Sequence, residues 1–168
     1  MRSLIGAAAV SLALMSSSAL AGTALTDFDV QLTIADSCSV TLDATNVDFG
    51  TYDDLTSAST SVTTGSTSFK LKCTDGASNI KIEIDDGENY DSTNTIRRMK
   101  NTGADEYVSY KICQDANCTD LWGADPDHVS IIGTGSAETL TAYLKVPDQA
   151  TTPSNGTYED HVNINITF

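Results

Sequence analysis

The sequence predicts an all-β chain folded as a β-sandwich, and three observations carry that prediction. Short apolar runs alternate with polar residues at a period of two. Turn residues break the runs at short intervals, with no internal repeat. Beyond residue 21 the 3.6-residue periodicity of an amphipathic helix is hard to find, while Thr, Ser, Val and Ile are abundant and the chain has only 3 prolines.

The opening stretch "MRSLIGAAAVSLALMSSSALA" stands outside that pattern. It has a basic Arg2, then an apolar run, then Ala19-Leu20-Ala21, the form of a secretory signal cut after Ala21. A transmembrane anchor is the alternative, but the run is too short to cross a hydrocarbon core of about 30 Å. Residues 1–21 are therefore assigned as a signal peptide, and what remains of the 168 residues suits one domain.

The strands follow in order. Residues 24–34, "ALTDFDVQLTI", place Phe28, Val30, Leu32 and Ile34 on one face and Asp29, Gln31 and Thr33 on the other. Residues 38–50, "CSVTLDATNVDFG", form the next candidate and end at Gly50. The polar stretch 51–67 reads as a loop or a poorly packed edge. "SFKLKCT" puts Phe69, Leu71 and Cys73 on one face, and "NIKIEID" does the same with Ile80, Ile82 and Ile84 before the turn-rich "DDGENYDSTN". "YVSYKIC" aligns Val108, Tyr110 and Ile112, and "ETLTAYLKVP" aligns Leu140, Ala142, Leu144 and Val146. The last run, "GTYEDHVNINITF", aligns Val162, Ile164, Ile166 and Phe168. Strands at both ends stand out, because termini fray unless a sheet ties them down, and an open strand edge invites another chain.

Four cysteines, Cys38, Cys73, Cys113 and Cys118, lie beyond the signal. An even count in an exported chain reads as two disulfides, with three connectivities open in principle. A local bridge within "CQDANC" leaves Cys38 with Cys73. A thiolate metal site is the competing reading, disfavoured by the exported context and the lack of nearby His. No cofactor and no metal ligand set is expected.

The formal net charge of -14 and a pI near 4.1 argue against nucleic acid and against anionic membrane surfaces, both of which select basic patches. An acidic, self-repelling exterior is the plain reading. No catalytic constellation assembles, so an enzyme is not expected: His128 sits in a turn, His161 lies on the polar phase of the last strand, and no nucleophile elbow, phosphate loop or HExxH motif occurs. "DDGENYD" gathers oxygen ligands without the spacing of a calcium loop and reads as a solvated turn. The sequons at Asn117, Asn155 and Asn165 read as chance matches. Trp122 with Tyr90, Tyr107, Tyr110 and Tyr143 could form a sugar platform, but core packing is the plainer account.

The pieces "FDVQLTIADSCSV", "VDFGTY", "KLKCTDG", "IEIDDGENYDSTNTIRRMKN", "VSYKICQDANCTDLWG" and "GTYEDHVNINITF" occur in an order that resembles spore coat protein U domain proteins, among them the major pilins of archaic chaperone–usher pili. The resemblance covers nearly all of the chain after the signal, and order and spacing carry it rather than any one piece. It implies an incomplete immunoglobulin-like sandwich that lacks its last strand, made of an N-terminal donor extension (22–36) and a pilin domain (37–168). A periplasmic chaperone would fill the resulting groove, and an outer-membrane usher would exchange it for the donor strand of another copy.

By position, Phe28, Val30, Leu32 and Ile34 would be the donor anchors. Val162, Ile164, Ile166 and Phe168 would line the groove and pair with the chaperone, with the carboxylate of Phe168 held by basic residues of its cleft. The family bridge maps to Cys38 and Cys73, and Cys113–Cys118 would staple a local hairpin. The implied function is a homopolymeric pilus subunit that passes through the periplasm to the cell surface, for adhesion and biofilm formation. Two alternatives differ in class: a self-completed secreted coat protein, and a tip adhesin that binds a surface glycan.

Overall fold

The computed structural model describes residues 26–52 and 63–168, and the signal-like opening lies outside them. The chain divides into two compact units, Met1–Thr33 and Ile34–Phe168. Of the first, residues 26–33 are described. They carry no ladder hydrogen bonds, and Phe28, Val30 and Leu32 are each 85% exposed. The period-two pattern of residues 24–34 is thus not a paired strand in its described part. Alternation sets which side chains share a face, but only a neighbour's backbone makes a strand.

The second unit is all-β, with no helix among the described residues. Its strands are β1 (Cys38–Leu42), β2 (Thr63–Cys73), β3 (Ile80–Ile84), β4 (Arg97–Asn101), β5 (Tyr107–Cys113), β6 (Val129–Ile131), β7 (Ala137–Val146), β8 (Tyr158–Glu159) and β9 (Ile164–Thr167). One sheet runs β1-β2-β7-β5-β4-β8 and the other β6-β3-β9, and every pairing is antiparallel. The alternating residues of both sheets meet in one core: Phe69, Leu71, Ile80, Ile82, Ile84, Val108, Ile112 and Ala142 are all buried. This is the predicted sandwich.

Boundaries differ from the sequence reading in places with physical causes. Residues 38–50 supply strand only to Leu42, because the pairing with β2 is irregular between Val40 and Leu42 and then stops. The polar stretch 51–67 is partly strand: Thr63 to Thr67 pair with Val146 to Ala142 of β7. Hydroxyl side chains and a glycine give that segment no apolar alternation, yet the ladder needs only backbone, and Ser68 Oγ and Thr141 Oγ1 bond across it at 2.8 Å. β4 carries no apolar alternation because it is built on "RRMKN", whose core-facing positions, Arg97, Met99 and Asn101, include two polar residues. β6 has only 3 residues, too few to show a period.

Trp122 follows β5 and closes the core. Its backbone amide donates to Ile112 O, and its indole Nε1 donates to Ile82 O of the opposite sheet, both at 2.9 Å. Its ring lies 6.1 Å from that of Phe69. Trp122 and Tyr110 are thus core residues, and Tyr107 lies under the Arg98 guanidinium at 4.2 Å, so these aromatics form no shared platform.

Candidate functional site

The last strand leaves one edge open. β9 pairs with β3, Ile84 opposite Ile164 and Ile82 opposite Ile166, and its other edge has no ladder partner among the described residues. Val162, Ile164 and Ile166 pack against the core while staying half-exposed, and Phe168 is 54% exposed. In the other sheet β1 is also an edge. Val40 stands opposite Leu71 and shares its core-facing side, yet Val40 is 47% exposed where Leu71 is 1% exposed. Core-facing apolar surface is therefore uncovered at an edge of each sheet. Nothing in the alternation of residues 38–50 marks Val40 as uncovered.

The entry of the chain into the sandwich is fixed. Cys38 is disulfide-bonded to Cys73, its register partner on β2. Beside it Thr74 donates its amide to Ser37 O at 2.9 Å, and its hydroxyl lies 3.3 Å from Ser37 O and 3.4 Å from Ala35 O. Ahead of that anchor Ile34 is 75% exposed. Four alternating apolar side chains, Phe28, Val30, Leu32 and Ile34, thus precede the bridge, all in water.

The sequence pieces "IDDGENYD", "RRMKN" and G-x-Y-x-D converge on one polar latch that holds the β9 approach. Asp85 Oδ1 accepts from the amides of Gly87 at 3.1 Å and Asn163 at 2.9 Å, and its Oδ2 accepts from Asn163 Nδ2 at 2.7 Å. Burial opposes ionisation of Asp85. The Asn163 and Gly87 hydrogen bonds, with the charge of Arg97, still hold its carboxyl below the usual value. Asp160 accepts from Tyr110 Oη at 2.6 Å and from Asn89 N and Nδ2 at 3.1 and 2.9 Å. Burial first, then this bond to Asp160, pushes the Tyr110 phenol far up.

Arg97, buried on β4, donates Nε and Nη2 to Asp85 O at 2.9 and 2.8 Å and Nη2 to Ile84 O at 2.9 Å. It caps the end of β3 at the point where β9 begins its pairing. Gly156 (φ 153°) leaves no room for a side chain, since a Cβ there would meet the Asn101 amide. Tyr158 Oη lies 2.9 Å from Ser154 O and 3.2 Å from Glu106 Oε2, so its one proton is shared between these two acceptors.

Cys113 is disulfide-bonded to Cys118. Inside that loop Asp115 accepts from the amides of Asn117, Thr119 and Asp120 at 2.8–2.9 Å, which lowers its pKa, the Asp120 amide contributing most. His161 is exposed, and His128 Nδ1 lies 3.4 Å from Asp125. Among the described residues no cluster of His, Cys, Asp and Glu is placed to hold a metal ion.

The Spore Coat Protein U domain profile matches residues 24–165. The chain belongs to that family. The match begins at residue 24, so the exposed stretch ahead of Cys38 falls within the pattern of the Spore Coat Protein U domain. No curated protein matches the chain. Among solved structures, a similar fold occurs in the crystal structure of the CsuC-CsuE chaperone-tip adhesion subunit pre-assembly complex from the archaic chaperone-usher Csu pili of Acinetobacter baumannii. The TM-score is 0.57 at 18% identity, over 81% of this chain and 41% of the other, so the chain spans about two fifths of the chain it matches.

Proposed function

We propose that this chain is a structural pilin subunit that polymerises by donor-strand exchange into a surface pilus serving adhesion and biofilm formation. One observation carries the reading: four alternating apolar residues in water precede a disulfide-fixed entry point, on a sandwich whose last strand has an open edge. The segment lacks a strand partner, and the sandwich lacks a strand. Phe28, Val30, Leu32 and Ile34 of one copy fill the uncovered line beside Val162, Ile164, Ile166 and Phe168 of the next. Strand addition suits this, because main-chain bonds supply affinity and alternate side-chain pockets supply specificity.

The magnitudes are consistent with a regulated exchange. Four anchors supply roughly 6–12 kcal/mol gross on area burial, and each backbone bond adds about 0.5–1.5 kcal/mol. Ordering a free tail costs about 1–2 kcal/mol per residue. Insertion wins where the groove is already shaped, and shaping it is the part of a periplasmic chaperone. That partner class, an outer-membrane usher and further copies of this chain are the partners of the proposal. The Csu complex, itself a chaperone with a pilus subunit, supports that partner class.

The experiment is Leu32→Asp in the full chain, co-expressed with its chaperone and usher. Chaperone capture stays intact and fibres are lost. Normal fibres from this variant overturn the reading.

A further inference from the structure

We propose that the outer face of the six-stranded sheet binds the acidic surface of a second copy of this chain, side by side and without strand exchange. The register places the charges. On β2, Lys70 and Lys72 alternate with the buried Phe69, Leu71 and Cys73 and so face outward. On β5 and β7, Lys111 and Lys145 stand directly opposite each other on that same outward phase. On β4, Arg98 and Lys100 alternate with the inward Arg97 and Asn101. Six of the chain's 9 basic residues thus share one face of a protein that holds 23 acidic ones.

Carboxylates avoid that face. Across β1, β2, β4, β5 and β7 the one carboxylate is Glu138, which is in register with the core residue Leu71, and β8 adds Glu159 opposite Lys100. Arg98 and Lys100 are answered within the chain, by Asp91 at 3.2 Å and Asp105 at 3.3 Å. Lys70, Lys72, Lys111 and Lys145 have no carboxylate within 4.0 Å among the described residues, although Asp148 borders the shallow depression beside Lys111 and Lys145. Like charges directly opposite on a ladder destabilise it, so the Lys111–Lys145 pair is a local cost that an anionic cover relieves.

The molecule itself carries the matching surface. Asp86 and Glu88 in the turn after β3, and Asp125 and Asp127 in the loop after β5, are exposed. Asp86 lies 4.0 Å from Arg97 and Asp125 3.9 Å from Lys81, which leaves Glu88 and Asp127 as the carboxylates of this surface with no cation within 4.0 Å among the described residues. A basic patch that meets an acidic one elsewhere on the next copy is a heterologous contact, which repeats rather than closes. Whole-molecule repulsion between two chains of charge -14 opposes it. At about 0.15 M salt that repulsion is screened beyond about 8 Å while facing charges still attract, and near 1 M, with screening at about 3 Å, the attraction also fades.

The test uses full chain carrying Leu32→Asp, so that a failure of strand exchange cannot enter the result. Sedimentation velocity at about 0.15 M salt shows self-association, and association is lost near 1 M. Adding Lys111→Glu with Lys145→Glu weakens it about tenfold or more, since like charges then face across the contact. Lys70→Glu with Lys72→Glu, on a separate strand, does the same, with circular dichroism showing each variant folded. A monomer at about 0.15 M, association that survives near 1 M, or charge-reversed variants that associate as before each overturn the proposal. Retention on immobilised alginate by a chain that does not self-associate also overturns it, and assigns the face to a polyanion.

Discussion

Asn163 meets the Asp85 carboxylate with two donors, its backbone amide at 2.9 Å and its side-chain amide at 2.7 Å. The Asp85 amide returns a bond to Asn163 O at 3.0 Å. Two residues far apart in sequence are thereby paired like ladder residues, one step before β9 joins β3 at Ile164. The bond that seats the last strand is therefore a charged one, and its strength depends on pH.

The sign of that dependence follows from the lowered pKa of Asp85. A carboxylate held below its unfolded value stabilises the fold fully above that unfolded value, near 3.8. The contribution is lost as pH falls through the lower, folded value. Thermal unfolding of the wild type is thus expected to drop between about pH 5 and pH 2. Asp85→Asn is expected to melt lower at neutral pH, by about 1–3 kcal/mol in unfolding free energy, and to flatten part of that acid slope. An unchanged slope in Asp85→Asn sinks the assignment.

Tyr110 and Asp160 make the second half of the latch, with the phenol buried and the bond at 2.6 Å. Tyr110→Phe removes one donor from a carboxylate that keeps the two donors of Asn89. The expected cost is about 1–3 kcal/mol in urea unfolding, with the slope of the unfolding curve unchanged. Trp122 is the chain's one tryptophan and is buried, so its emission reports the transition directly. A Tyr110→Phe midpoint equal to wild type would show that the bond contributes nothing net.

The two bridges differ in what they constrain. Cys38–Cys73 spans 35 residues and Cys113–Cys118 spans 5. On loop entropy the first restricts the unfolded chain by about 4 kcal/mol and the second by about 2 kcal/mol. Replacing Cys38 and Cys73 with Ser should therefore lower stability more than the same change at Cys113 and Cys118, measured by urea unfolding without reductant. The first change should also free the chain ahead of β1, read as faster exchange of the Thr74 amide, which donates to Ser37 O. Equal losses from the two variants would contradict the loop account.

Much of the fold was legible because its core strands alternate strictly: Ile80, Ile82 and Ile84 cannot be read otherwise. Other features escape that pattern, each for a physical reason. β4 hides behind Arg97, whose guanidinium spends its donors on the Ile84 and Asp85 carbonyls, so a core position reads as a surface charge. The start of β2 hides behind small hydroxyl side chains paired through backbone. Val40 gave no sign of standing uncovered, because incomplete burial is a property of the neighbours a residue lacks and not of its own pattern. Phe28, Val30, Leu32 and Ile34 were the opposite case: their alternation was plain, yet no ladder partner meets them among the described residues.

That partner can be tested by splitting donation from acceptance. Leu32→Asp places a charge on the donor line, and Phe168→Asp places one on the open edge at a residue already 54% exposed, so both variants should fold. If consecutive copies exchange strands, neither variant alone forms a polymer, because each chain must both give and receive. Mixed at assembly, the Phe168→Asp chain can still donate and the Leu32→Asp chain can still accept, so the pair stops at a dimer. Unheated samples on a denaturing gel should show a ladder for wild type, a monomer for each variant and a single two-subunit band for the mixture. A chain that completes its own sandwich with residues 26–34 would give monomer throughout, and a ladder from the mixture would mean that another surface carries the polymer.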